Sequence, residues 1–160
     1  MRSVEASLTL PAPRSQVWRR VSTVRGWETL ARAFAGWGSR VRCAVLQGPD
    51  DAAREGLELE VRSAAGRPLL RARVSSFEPP GRIEWTLTRE GSRLGSFHLL
   101  LSCRLQETGG DSTRVEMGMM LLFSSRVLEI ASLLIPIRFF YRRRLVRALE
   151  TLREPASTPV

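Results

Sequence analysis

The stretch FEPPGRIEWTL, residues 77–87, sets the pattern for most of the chain. Pro79, Pro80 and Gly81 form a turn cluster, because proline fixes φ and lacks an N–H while glycine accepts backbone conformations closed to other residues. After it, Ile83, Trp85 and Leu87 alternate with Glu84, Thr86 and Thr88. Side chains on a strand point to opposite faces in turn, so this alternation predicts a strand with one face buried and one in water. The same pattern recurs in both directions. Upstream lie the inward sets Val41, Cys43, Val45; Leu57, Leu59, Val61; and Leu70, Ala72, Val74. Downstream, Phe97, Leu99, Leu101, Cys103 and Leu105 form one strand, and Val115, Met117, Met119 and Leu121 the last. Breakers separate them at Gly48-Pro49-Asp50, Ala65-Gly66, Glu90-Gly91 and Gly109-Gly110. Short sequential strands with tight turns predict an antiparallel meander covered on one side.

Further outward, Val4, Ala6, Leu8 and Leu10 alternate as another strand, ended by Pro11 and Pro13. Val17, Trp18 and Val21 predict a short helix from about Arg14, closed by Gly26. Trp27, Leu30, Ala31 and Phe34 predict a second over 27–34. From Ile137 to Leu152, the residues Ile137, Tyr141, Leu145, Ala148, Leu149 and Leu152 recur at helical spacing, with Arg143, Arg147, Glu150 and Glu154 opposite. Residues 127–135 are apolar nearly all round, as a buried helix would be, and Pro136 should break that helix near Ile135. The reading is α+β: strand, two short helices, six strands, long helix, as a single domain over 1–154 with a frayed tail at 155–160.

Composition bounds the partners. The 160 residues are 43% hydrophobic and 26% charged, as in a globular chain. All 25 basic residues are arginine, and the net charge is +9. Nucleic acid is not expected, because neither zinc-finger spacing nor an RNA-binding aromatic signature is present. Cys43 and Cys103 stand far apart with no metal-ligand spacing, which predicts reduced thiols in a cytoplasmic protein. Met1 to Leu10 has no continuous apolar run, so no signal peptide is expected, and no segment is apolar for the length of a bilayer.

The order of elements and its punctuation carry a resemblance. Leu10-Pro11-Ala12-Pro13 leads to Val17-Trp18; Trp27 follows the first helix; Phe77 to Trp85 is the turn described above; and Ser112-Thr113-Arg114-Val115 enters the last strand. Over 4–154 the chain resembles the START-like, or SRPBCC, superfamily with its helix-grip fold. That resemblance implies a curved antiparallel sheet of about seven strands wrapped around the long C-terminal helix and enclosing an apolar cavity. The superfamily includes lipid and sterol carriers, quinone-binding proteins, hormone receptors and polyketide cyclases. Its implication here is binding or transport of a hydrophobic small molecule: a lipid, quinone or polyketide-like compound. The alternative is a cyclase, aromatase or dehydratase using the same cavity. The matching motifs are structural and do not choose between them.

The expected cavity is lined by Trp85, Leu87, Phe97, Leu99, Met117, Met119, Leu134 and Ile137, with Trp27, Phe34 and Trp37 near its mouth. Aromatic and methionine side chains offer large, adaptable contact areas to a bulky apolar ligand, although the same spacing also serves an ordinary core. Tyr141 faces inward and offers a hydroxyl to a ligand carbonyl. Arg138 shares the stripe of Leu134, Tyr141 and Leu145, where a guanidinium requires a partner, and an acidic ligand would supply one. His98, the only histidine, falls by parity on the outer face beside Leu100 and Ser102. No catalytic set, metal cluster or cofactor motif is read. Arg142, Arg143, Arg144 and Arg147 form a basic run suited to peripheral contact with an anionic membrane or an acidic protein.

Overall fold

The alternation after the Pro-Pro-Gly turn becomes a strand whose burial swings residue by residue. Ile83 is 1% exposed, Trp85 2% and Leu87 6%, while Glu84, Thr86 and Thr88 are half-exposed. The computed structural model describes residues 2–35, 41–48, 52–89, 97–123 and 137–153. In chain order these form β1 (Arg2–Leu10), α1 (Arg14–Val21), α2 (Val24–Ala35), β2 (Val41–Gln47), β3 (Glu58–Ser63), β4 (Pro68–Glu78), β5 (Arg82–Arg89), β6 (Phe97–Glu107), β7 (Thr113–Phe123) and α3 (Ile137–Thr151). The strands make one curved, seven-stranded antiparallel sheet in the order β1-β7-β6-β5-β4-β3-β2. β2 to β7 run as the expected meander, and β1 closes onto β7. This is the helix-grip architecture.

Register assembles the inner face. Trp85 lies opposite Val74 on β4 and Leu101 on β6, and Leu87 lies opposite Ala72 and Leu99. Met117 lies between Cys103 and Ala6, and Met119 between Leu101 and Val4. Fully burying side chains of this size contributes about 1.5–3 kcal/mol each. One irregularity escapes simple alternation. The β4–β5 register shifts between Val74 and Ser76, so Phe77 lies opposite the buried Ile83 despite its odd number. A bulge inserts one residue and bends the strand, which restores Phe77 to the inner face. There its ring meets Trp18 of α1 at 5.4 Å.

The helices lie against that face. α1 buries Val17, Trp18 and Val21. It ends before Gly26, because Thr23 starts a new helix there: the Gly26 N–H donates to Thr23 Oγ1 at 3.0 Å, an N-cap contact. Gly26 therefore sits inside α2 and does not close α1. Its role is close approach, since a Cβ at this position would lie 1.6 Å from the Arg20 carbonyl oxygen. α3 buries Leu145, Ala148 and Leu149 and packs on α2 and β1. Its C-terminus is tied to α1, where Arg20 Nη1 donates to the Leu152 carbonyl at 2.5 Å. Thr113, buried at the start of β7, donates through Oγ1 to the Ala12 carbonyl at 2.8 Å and anchors the segment after β1. The apolar run at 127–135, the break at Pro136 and the tail at 155–160 lie outside the described residues.

Candidate functional site

Between the inner face of the sheet, α2 and α3 lies a cavity of about 310 Å³. The sheet contributes Leu87, Leu99, Leu101 and Met117 from its central strands, with Val61 and Leu70 towards the β2 edge. These positions share a face because each strand alternates and the registers align the inward sets. α2 contributes Trp27, Leu30 and Phe34, and α3 contributes Tyr141, Arg144 and Ala148. A cavity of this size, apolar and aromatic with few polar groups, has the character of a small-molecule site.

Aromatic contacts build its wall. Trp27 stacks on Trp85 with ring centroids 4.3 Å apart and planes 10° from parallel. Phe34 stacks on Tyr141 at 5.9 Å, and the Arg144 guanidinium lies over the Tyr141 ring at 5.8 Å. That cation–π contact holds a half-buried arginine towards the cavity and not out in solvent. The indole Nε1 of Trp27 is buried and has no hydrogen-bond partner among the described residues. Such a donor costs roughly 1–3 kcal/mol when left unmade, so it is a place where an acceptor is favoured.

Of the residues anticipated from the sequence, Trp27, Phe34, Leu87, Leu99, Met117 and Tyr141 line this cavity together. Trp85 stands behind Trp27 as its stacking partner, and Met119 is buried in the core one inward step along β7. Trp37 and Leu134 lie outside the described residues, and of Phe97, Ile137 and Arg138 only the backbone, within β6 and α3, is described. Arg89 and Arg144 were not singled out as cavity residues, yet both line it. Their signals were available: Arg89 continues the inward series Ile83, Trp85, Leu87, and Arg144 lies three residues after Tyr141 and four before Ala148. In the basic run, Arg142 and Arg143 are the exposed members, next to Phe139 and Phe140, which are 65% and 55% exposed.

His98 faces away, as its parity indicated. It lines an open groove on the outer face of the sheet with Arg71, Arg73, Thr86 and Thr88. That groove is larger, about 640 Å³, but most of the residues lining it are polar or charged. Neither cysteine is a thiolate at neutral pH. Burial, reinforced by Glu28, pushes the Cys43 thiol up to about 12, and burial alone pushes Cys103 up to about 12. Among the described residues no group of His, Cys, Asp or Glu gathers as a metal site, and no helix is long and apolar enough to cross a membrane.

No curated protein matches the sequence significantly. Solved structures do share the fold. Protein CV1439 from Chromobacterium violaceum is 19% identical with a TM-score of 0.63, each chain covered to 94%. The hypothetical protein jhp0584 from Helicobacter pylori is 12% identical with a TM-score of 0.68, covering 95% of this chain and 88% of its own. Norcoclaurine synthase from Thalictrum flavum, solved with dopamine and hydroxybenzaldehyde, is 14% identical with a TM-score of 0.59, covering 98% and 89%. Residues 1–135 match the family model described as polyketide cyclase / dehydrase and lipid transport, and the chain belongs to that family.

Proposed function

We propose that this protein binds a hydrophobic small molecule, lipid-, quinone- or polyketide-like, in the cavity between the sheet, α2 and α3. The observation that carries this reading is the cavity itself: about 310 Å³, walled by Trp27, Phe34, Leu87, Leu99 and Met117. The family description supports it in covering lipid transport. The sequence pattern alone adds Trp37, Phe97, Leu134, Ile137 and Arg138 to the contacts. The same description covers cyclase and dehydrase chemistry, which in this cavity would draw on the polar side chains of Trp27, Tyr141, Arg89 and Arg144 among the described residues. The neutral dye N-phenyl-1-naphthylamine tests the binding reading. It should bind saturably at one site and accept excitation energy from tryptophan, and Leu99→Trp, which fills the cavity, should abolish this while circular dichroism stays native. Unsaturable binding, or binding indifferent to Leu99→Trp, would sink the proposal.

A second reading concerns the protein surface. Exposed Phe139 and Phe140 beside exposed Arg142 and Arg143 support peripheral contact with an anionic bilayer, aromatic rings entering the interface and guanidiniums meeting headgroups. The protein should cosediment with phosphatidylglycerol vesicles and not with phosphatidylcholine vesicles. Replacing both phenylalanines with serine should release it. Absence of the wild-type protein from both pellets would count against this contact.

A further inference from the structure

We propose that the ligand is an amphipathic anion, its apolar body in the cavity and its acid group held by Arg89 and Arg144; this rests on the cavity-binding reading above. The lining is one-sided in its polarity. Among the described residues Trp27, Arg89, Tyr141 and Arg144 are its polar side chains, and each carries a donor. No carboxylate, carboxamide or imidazole lines the cavity among the described residues. A neutral apolar ligand has no use for two guanidiniums there, whereas an anion offers both a charge-assisted hydrogen bond.

Several other arginines in the molecule are ion-paired. On the sheet, Arg62 pairs with Glu60, Arg73 with Glu58, Arg82 with Glu78 and Glu84, and Arg114 with Glu116. On α2, Arg32 pairs with Glu28. Among the described residues no carboxylate lies within ion-pair distance of Arg89 or Arg144. Arg89 is exposed at the end of the inward series of β5, and Arg144 is half-buried over the Tyr141 ring. Both line the cavity and both reach solvent, so an acid group held there remains partly hydrated while its apolar body is buried. Size narrows the class further. About 310 Å³ is at the small end for ligand sites, which suits one chain or a small fused ring system and not a two-chain lipid.

Two dyes on one frame test this. 1-Anilinonaphthalene-8-sulfonate carries a sulfonate that N-phenyl-1-naphthylamine lacks. The wild-type protein should bind the sulfonate dye at least about tenfold more tightly. Arg89→Met and Arg144→Met should each remove about tenfold of that affinity and leave the neutral dye within about twofold. Arg104→Met removes the same net charge from an exposed position on β6, outside both the cavity lining and the surface at 139–143, and should change neither. Decanoate and decyl phosphate should displace the sulfonate dye, and decanol should not. The stronger of the two acids identifies a carboxylate or a phosphate as the recognised group. Equal wild-type affinity for both dyes overturns this inference while leaving cavity binding intact, and needs no variant to fold. Loss of sulfonate-dye binding in Arg104→Met as large as in Arg144→Met also overturns it, since general surface charge would then be the cause. If the neutral dye does not bind at all, the cavity reading falls and takes this one with it.

Discussion

Cys103 shows how burial of one side chain sets a pH limit. It lies on the inner face of β6 at 4% exposure, and burial lifts its thiol from an ordinary 9.0 to about 12. Above pH 9 the unfolded chain releases this proton while the folded chain keeps it. The native state then binds more protons, so stability falls as pH rises, by about 1.4 kcal/mol per pH unit until the folded thiol titrates. Cys103→Val keeps the packing and removes the titration. The melting-temperature difference between wild type and this variant should be flat up to pH 9 and move steadily in favour of the variant above it. A constant difference from pH 8 to 11 would show that the thiol is not desolvated as described. At this same scale the arginines divide by environment: the residue type is uniform, but only placement separates cavity-lining Arg144 from exposed Arg143 next to it.

Elements meet through their smallest residues, and two glycines make opposite predictions. At Gly26 the α1 backbone passes so close to α2 that a Cβ would stand 1.6 Å from the Arg20 carbonyl oxygen. Backbone cannot yield locally, so Gly26→Ala must push the two helices apart and should cost about 3 kcal/mol or more. At Gly118 on β7 the nearest obstacle is Ser102 Oγ at 2.8 Å, a hydroxyl that can rotate away. Gly118→Ala should cost less than about 1 kcal/mol. Chemical denaturation of both variants checks the contrast, and similar losses would contradict it. The consequence reaches the site, because α2 carries Trp27, Leu30 and Phe34 into the cavity wall and α1 sets its position.

On the scale of the molecule, the cavity belongs to no single element. Antiparallel pairing aligns the inward residues of the strands, β1 closes on β7, and α2 and α3 cover the resulting concave face. Among the described residues its polar side chains come from three separate places: Trp27 on α2, Arg89 at the end of β5, and Tyr141 with Arg144 on α3. The proposed recognition of an apolar body with an acidic end would be a property of that convergence.

Local periodicity was enough to read the strands, the two short helices, the last helix and their order, because alternation and helical spacing are written in neighbouring residues. Ile83, Trp85 and Leu87 are buried as their alternation required, and His98 faces outward as its parity required. Six of the cavity residues were legible for the same reason. The bulge that turns Phe77 inward was not, since a bulge depends on the partner strand's register. Gly26 was misplaced as the end of α1 because its constraint is an approach between two helices, invisible along one of them. The gathering of Arg89 and Arg144 at one cavity likewise needed the tertiary structure. Sequence spacing says which way a side chain faces on its own element, and only packing says what the other elements bring to meet it.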